Sequence, residues 1–167
     1  MMIRATQPND LSQLAAVERS AAQAFLQFPD LAWLATSSVM DDAAHLSFLG
    51  NGCSWVAEEE GKILGFICAS VQCQALHIEE VSVRGDAQGQ GIGRQLLTRM
   101  IEEARHKGLG QVTLTTFSNV PWNAPFYQRH GFEVIADADL DIRLSSLLAS
   151  EYALGLSGRC AMRLRLP

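Results

Sequence analysis

Charge is scarce in this chain of 167 residues. Asp, Glu, Lys and Arg together make up 19% of it, and acidic residues outnumber basic ones 18 to 13. The net charge of −5 leaves no basic face to track phosphates, which argues against a nucleic-acid binder. Long apolar runs are missing too. The longest, Ile63 to Val71, falls far short of the roughly 20 residues a membrane span needs. The opening M-M-I-R-A-T-Q-P-N-D holds no apolar leader, so the expectation is a cytoplasmic protein with no membrane partner. Cysteine is limited to Cys53, Cys68, Cys73 and Cys160, with no C-x-x-C pair and no His at ligand spacing beside them. Reduced core thiols are expected, and no metal site. No repeat or low-complexity stretch is visible. What is present is apolar material, 48% of residues, enough for one core and one domain over 1–167.

The patterning alternates between strand and helix periods. Ile3 to Thr6 reads as an opening strand. Asn9 or Asp10 then caps a helix carrying Leu11, Leu14, Ala15, Val17 and Ala21 at helical spacing. Phe25 to Gly52 is less clear: Pro29-Asp30 is a candidate start for a helix with Leu31, Trp33 and Leu34, and Asp41-Asp42 for another through Leu49. Cys53 to Glu58 and Ile63 to Val71 read as a hairpin across Glu59-Glu60-Gly61-Lys62, with Leu76 to Val83 as a third strand. Ile92 to Lys107 is a helix with Ile92, Leu96, Leu97, Met100, Ile101 and Ala104 on one face and Gly108 as its stop. Gln111 to Thr115 is a strand, Pro121 to His130 a short helix, Phe132 to Ile135 a strand, Ser145 to Ala153 a helix, and Arg159 to Leu166 the closing strand. The class is α+β in one layered domain.

The most informative stretch is Glu80-Val81-Ser82-Val83-Arg84-Gly85-Asp86-Ala87-Gln88-Gly89-Gln90-Gly91-Ile92-Gly93-Arg94. A strand ends, glycines recur at alternate positions, and a strong helix opens. Glycine permits positive φ and close approach of a ligand to the main chain. The unpaired N–H groups of the first helical turn form an anion site, each contact worth about 0.3–1 kcal/mol and up to ~2 when partly buried. A Walker A loop is excluded because no Lys follows the glycines, and the G-x-G-x-G spacing departs from the dinucleotide fingerprint. A pyrophosphate cradle and a turn that merely starts a helix both remain open on this stretch alone.

Two blocks together decide between them. Val81-x-Val83 followed by Gln88-Gly89-Gln90-Gly91-Ile92-Gly93 resembles the Q/R-x-x-G-x-G/A signature of the GNAT superfamily of acyl-CoA-dependent N-acyltransferases. Asn123-Ala124-Pro125-Phe126-Tyr127-Gln128-Arg129-His130-Gly131-Phe132 resembles its later N-x-x-x-Y-x-x-x-G-F block, and Ile3 to Leu11 its opening. The fold this resemblance implies is a central mixed seven-strand sheet with helices on both faces. The cosubstrate it implies is acetyl-CoA. The backbone of Val81, Ser82 and Val83 would pair with the pantetheine arm like an added strand. Gln88, Gly89, Gln90, Gly91, Ile92, Gly93 and Arg94 would hold the pyrophosphate, and Asn119, Asn123 and Phe126 would contact the arm. A homodimer is a further expectation of the superfamily.

The reaction implied is amine attack on a thioester. An alkylamine with pKa near 10 is almost all ammonium at pH 7, so deprotonating it costs roughly 4 kcal/mol and a base is useful. By strand alternation, His77 and Glu79 share one face of the strand leading to Val81. The superfamily's arylalkylamine acetyltransferases carry basic-catalyst histidines at these two positions. Glu79 is therefore favoured as base or ammonium anchor with His77 relaying, while Glu80 points the other way unless a bulge intervenes. Tyr127 matches the superfamily's general acid, which protonates the departing thiolate. A backbone N–H near Val81 would meet the oxyanion. Phe28, Trp33 and Glu80 are the candidate acceptor contacts, although for the aromatics, as for Phe25 and His45, core packing is the simpler reading. Glu58 to Glu60, His106, His130, Asp137, Asp139 and Asp141 read as ordinary turns, helix ends and loops. The activity expected is transfer of acetyl from acetyl-CoA to a small cationic amine. A protein N-terminus or lysine as acceptor, and a non-catalytic acyl-CoA sensor, stand as alternatives.

Overall fold

A computed structural model of the chain describes residues 1–51 and 53–167. The described residues build one seven-stranded sheet in the order β1-β2-β3-β4-β5-β7-β6. Strands β1 (Met2–Ala5), β2 (Cys53–Glu59), β3 (Lys62–Gln72) and β4 (Ala75–Val83) run antiparallel in sequence. Strand β5 (Gln111–Phe117) joins β4 in parallel, and β7 (Arg159–Arg165) lies antiparallel between β5 and the short β6 (Glu133–Val134). This is the mixed α+β architecture that the motifs implied. Among the described residues no helix is long and apolar enough to cross a membrane.

Strand alternation sends side chains to two layers. On one face Ala57, Ile67, Leu76, Val112 and Met162 meet the apolar stripe of α3 (Ile92–His106), where Leu96, Leu97, Met100 and Ala104 are buried; α4 (Ala124–Arg129) adds Ala124 and Phe126. On the other, Val56, Phe66 and Cys68 meet Leu11, Leu14 and Val17 of α1 (Leu11–Ala22) and Phe48 and Leu49 of α2 (Asp42–Asn51), while Ala161 meets Leu144 of α5 (Ile142–Ala153). The central β3 is buried on both faces from Ile63 to Ala69. The hairpin before it turns on Glu60 and Gly61, at φ 52° and 80°.

Six expectations shift. Asp10 does not cap α1: one of its oxygens accepts from the Gln7 amide at 2.7 Å and both pair with the Arg4 guanidinium, whose Nε also reaches Glu58. The stretch from Phe25 holds no α-helix before Asp42. Two 3-10 turns, Gln23–Gln27 and Ala32–Thr36, fill it, while Gly52 lies outside the described residues. Asp141 is a helix cap rather than loop: its Oδ1 accepts from the Leu144 amide at 2.7 Å, so α5 starts three residues before Ser145. The helix expected from Pro121 starts only at Ala124, and the strand expected over Phe132 to Ile135 is only Glu133–Val134. Cys73 is exposed on the β3–β4 turn at φ 55°, unlike the buried Cys53 and Cys68.

Gly65 shows how tightly α3 sits on the sheet. A Cβ there would lie 2.9 Å from the Ser82 carbonyl and 3.3 Å from both Ile92 Cγ2 and Leu96 Cδ1. Backbone and buried side chains cannot yield cheaply. Gly65→Ala is expected to cost about 1–3 kcal/mol, lowering Tm by roughly 2–12 °C in thermal unfolding; an unchanged Tm would mean that α3 is not held this close.

Candidate active site

Pairing between β4 and β5 lasts for three residue pairs, Ala75–Gln111, Leu76–Val112 and His77–Thr113, and then stops. The cause lies on the other side of β4. There Ala69 of β3 pairs with Ile78 and Cys68 with Glu80, so Glu79 is an extra, bulged residue. A bulge raises local twist and re-aims the strand. Beyond it β4 leaves β5, and among the described residues the side of β4 facing the gap has no strand partner from Ile78 to Val83. The gap is a cleft of about 750 Å³ through the sheet, lined from both faces, within the size range of small-molecule sites.

At one end of the cleft stands the glycine turn. Gly89 and Gly91 adopt φ 79° and 80°, and Gly91 precedes the first residue of α3 with no side-chain cap. The first intrahelical bond here runs from the Gln95 amide to the Gly91 carbonyl at 3.1 Å, leaving the Ile92, Gly93 and Arg94 amides free of helical partners. Gln88 ties the turn to the strand, its Nε2 donating to the Val83 carbonyl at 3.1 Å. Arg94 and Arg129 line the same end. Free amides, helix dipole and two guanidiniums form a site for an anion. Gln90 lies apart, on a shallower depression with Ile3, Thr98 and Arg99.

The far end is acidic. The bulge flips strand parity, so Glu80 faces α1 and lines the cleft with Glu18. Burial and the neighbouring Glu18 push the Glu80 carboxyl up to about 8, against a bond from Ser82 Oγ at 3.1 Å, the charge of Arg159 and the Val81 amide. Burial raises Glu18 as well, although its Oε1 accepts from the Met40 amide at 3.1 Å. Tyr127, on α4, packs edge-on against Phe126 and Phe132 and lines the cleft. Burial, then the charge of Glu80, hold its phenol above the ordinary tyrosine value, so it keeps its proton at any working pH. Arg159 is engaged: its Nε donates to Glu151 at 2.8 Å, its Nη2 to the Thr115 carbonyl at 3.1 Å, and it lies 4.6 Å over the Phe117 ring.

The cleft brings together Glu79, Glu80, Val81, Ser82, Val83, Gln88, Gly89, Gly91, Ile92, Gly93, Arg94, Asn123, Phe126 and Tyr127 of the residues picked from sequence. It does not include His77. That ring is 3% exposed, bonded through Nδ1 to Thr113 Oγ1 at 2.8 Å, and burial then the charge of Arg143 lower it to about 4. Alternation had put it beside Glu79, but the bulge separates the two. Glu79 lies at the exposed mouth, accepting from Ser70 Oγ at 2.7 Å. Asn119 is exposed outside the cleft, and Asn123 Oδ1 accepts from Thr116 Oγ1 at 2.6 Å and the Phe117 amide at 3.3 Å, fastening α4 to β5. Phe28 and Trp33 do not line the cleft; Phe28 backs Trp122, 5.5 Å away, which with Phe25 and Phe117 does. Glu18, Trp122 and Arg159 escaped the sequence reading, since each looks like a surface or loop residue until the chain folds.

A mixed sheet parted beside a glycine-opened helix is a fold of CoA-dependent acetyltransferases among solved structures. The chain superimposes over its full length on all of Rv2747 from Mycobacterium tuberculosis, solved in complex with CoA and NLQ, at TM-score 0.74 and 21% identity. Over 99% of its length it matches 98% of PaiA N-acetyltransferase from Thermoplasma acidophilum, in complex with coenzyme A, at TM-score 0.71 and 16% identity. Residues 50–134 match the acetyltransferase (GNAT) domain family, and the chain belongs to that family. Among curated relatives, human N-acetyltransferase 8B is 32% identical over 74% of this chain and 56% of its own length. Streptothricin acetyltransferase of Streptomyces lavendulae is 35% identical over 72% and 61%. The chain spans about half the length of the first curated relatives it matches.

Two glycines of the turn separate backbone strain from space. A Cβ at Gly91 meets nothing within 4 Å but is forced to φ 80°, whereas one at Gly93 sits at ordinary contact, 3.7 Å from Phe126 Cζ, in a helical turn. Gly91→Ala is expected to lose about 1–2 kcal/mol in chemical denaturation. Gly93→Ala is expected to hold stability or gain up to about 1 kcal/mol. Equal losses would contradict the assigned backbone.

Proposed function

We propose that the protein is an acetyl-CoA-dependent N-acetyltransferase acting on a small cationic amine. The observation that carries the reading is one cleft lined by a half-buried carboxyl, Glu80, and a phenol, Tyr127, with an anion-binding helix start at its other end. In this reading the free amides of Ile92 to Arg94 hold the pyrophosphate, and the side of Val81 to Val83 without a strand partner takes the pantetheine amides as an added strand, the Val83 carbonyl being shared with Gln88 Nε2. The residues present fit that ligand: the turn that holds the phosphates is clear of side chains at Gly89 and Gly91, and Phe126 closes one wall. The amine nitrogen forms its bond to the acetyl carbon as the C–S bond breaks. Its proton goes to Glu80, and the phenol of Tyr127 gives a proton to the leaving sulfur.

Glu80 replaces Glu79 as the base in this scheme, because Glu79 sits exposed at the mouth while Glu80 is half-buried inside the cleft. His77 serves packing. An acceptor of small size is supported by the roof that Phe25, Leu34, Ser37 and Ser38 make over the acidic end.

Tyr127→Phe and Glu80→Gln are each expected to lower turnover by roughly 10²–10⁴ while leaving acetyl-CoA affinity near wild type. Thiol release and titration calorimetry measure the two. A base whose value is raised to about 8 is protonated and idle below it. The rate of wild type should therefore climb as pH rises through about 8, and Glu80→Gln should lose that limb. Burial and Glu18 raise the midpoint, and Ser82, Arg159 and the Val81 amide lower it, so Glu18→Gln should move it down. Full activity in the Phe variant, or an unaltered pH profile in the Gln variant, would remove that residue from the chemistry.

A further inference from the structure

Of the three glutamates that line the cleft, Glu79 lies at the mouth on Ser70; Glu18 and Glu80 form the acidic end, and among the described residues neither has an ion-pair partner. The cations near them do not neutralise the pair: Arg159 is committed to Glu151 at 2.8 Å, and Arg19, whose charge reaches Glu18, is exposed and makes no ion pair with it. Arg94 and Arg129 belong to the phosphate end. Glu18 and Glu80 come from elements packed together, α1 and β4, and are near enough for the charge of one to raise the other. A single carboxylate suffices to take the proton of an attacking amine. The second has no part in that step.

We propose that Glu18 determines acceptor specificity and that the acceptor is a short aliphatic diamine, whose second ammonium Glu18 binds. The proposal rests on the acetyltransferase reading above and names its substrate class. The geometry of the acidic end carries it. The reacting nitrogen gives its proton to Glu80, and Glu18, on the facing helix, is left as the second carboxyl lining that end. A second, non-reacting ammonium is the group whose charge and hydrogen-bond donors suit it. Glu18 is set up to receive it: Oε1 is held by the Met40 amide at 3.1 Å, which fixes the carboxylate, and Oε2 makes no hydrogen bond among the described residues. Phe25, Phe117 and Trp122 flank the same end, with ring centroids 5.7 Å apart for Phe25–Phe117 and 5.5 Å for Phe25–Trp122. Such walls take methylenes and the face of a cation. An acceptor carboxylate would instead meet Glu18 and Glu80 at close range.

The test compares matched acceptors with acetyl-CoA: 1,3-diaminopropane to 1,5-diaminopentane, the monoamines propylamine to pentylamine, and the ω-amino acids of equal length. Wild type should show kcat/KM at least about tenfold higher for one diamine than for its monoamine. Glu18→Gln keeps an acceptor oxygen for the Met40 amide. Assayed at a pH above the Glu80 limb, where Glu80 is ionised in both proteins, it should lower the diamine's kcat/KM about 10- to 100-fold, mainly through KM, and leave the monoamine within about threefold. Glu18→Asp should restore part of the preference. Equal losses for diamine and monoamine, or preference for the amino acid, would overturn the assignment. The wild-type preference stands as a readout should the Gln variant melt early. Calorimetry with acetyl-CoA separates the levels. Absence of binding overturns the acetyltransferase reading and this one with it. Binding without thiol release overturns turnover alone, and diamine affinity for the CoA complex then reads Glu18 directly: about tenfold weaker in Glu18→Gln supports its role, no change refutes it.

Discussion

Strands β4 and β5 share three residue pairs and then separate, and the rest of the site depends on that separation. Were the pairing to continue, the main chain of Val81 to Val83 would be satisfied by β5 and the sheet would be closed. Instead the bulge at Glu79 turns the strand away. Leaving strand polar groups without partners in a core would cost about 1–3 kcal/mol each; here they face a cleft where water or a ligand can satisfy them. The sheet on either side is tightly registered, β3 being buried on both faces and α3 packed to within contact of Gly65. A rigid frame thus holds an opening that would otherwise zip shut.

The same bulge sets the electrostatics. By shifting parity once, it sends Val81 and Val83 to the α3 face and Glu80 to the α1 face, beside Glu18. The cleft becomes polarised along its length, with free amides, Arg94 and Arg129 at one end and two carboxyls at the other. An ordinary carboxylate of pKa near 4 is a poor acceptor for an ammonium proton, and raising it to about 8 closes most of that gap. Burial supplies the larger part and Glu18 the next. The geometry that opens the sheet is therefore also the geometry that tunes the proposed base.

How much of this the residues disclose in advance depends on the period each element keeps. The helix from Ile92 is plain from its apolar stripe, the hairpin from Glu60-Gly61, and the glycine turn from alternate glycines before a helix. The two blocks around Gly91 and Tyr127 point to the fold and to the phosphate end. The acidic end is hidden, because alternation assumes an unbroken strand. His77 and Glu79 share a face on paper; one extra residue buries His77 against Thr113 and puts Glu80 in the cleft. Glu18 reads as a solvated helix position until Met40 and the 3-10 turns fold over it. Those turns carry no 3.6-residue stripe, so the roof of the site cannot be placed by periodicity.

Local rules break in this molecule where the chemistry would be. Two carboxyls without cationic partners, raised by burial, sit together in a chain whose other buried carboxylate is well provided for: Asp10 has both oxygens on Arg4 and the Gln7 amide. The contrast has a definite sign. Asp10 is held below its ordinary value, so its contribution to stability is present above the unfolded value and fades as pH falls. Glu80 is raised, so the folded state binds its proton more tightly than the unfolded chain does, and its ionisation between the ordinary carboxylate range and about 8 works against the fold. A group selected for stability alone would not be buried beside Glu18. That it is so placed, in a frame stiff enough to bear the cost, is the physical argument for assigning the acidic end of the cleft to an incoming cation.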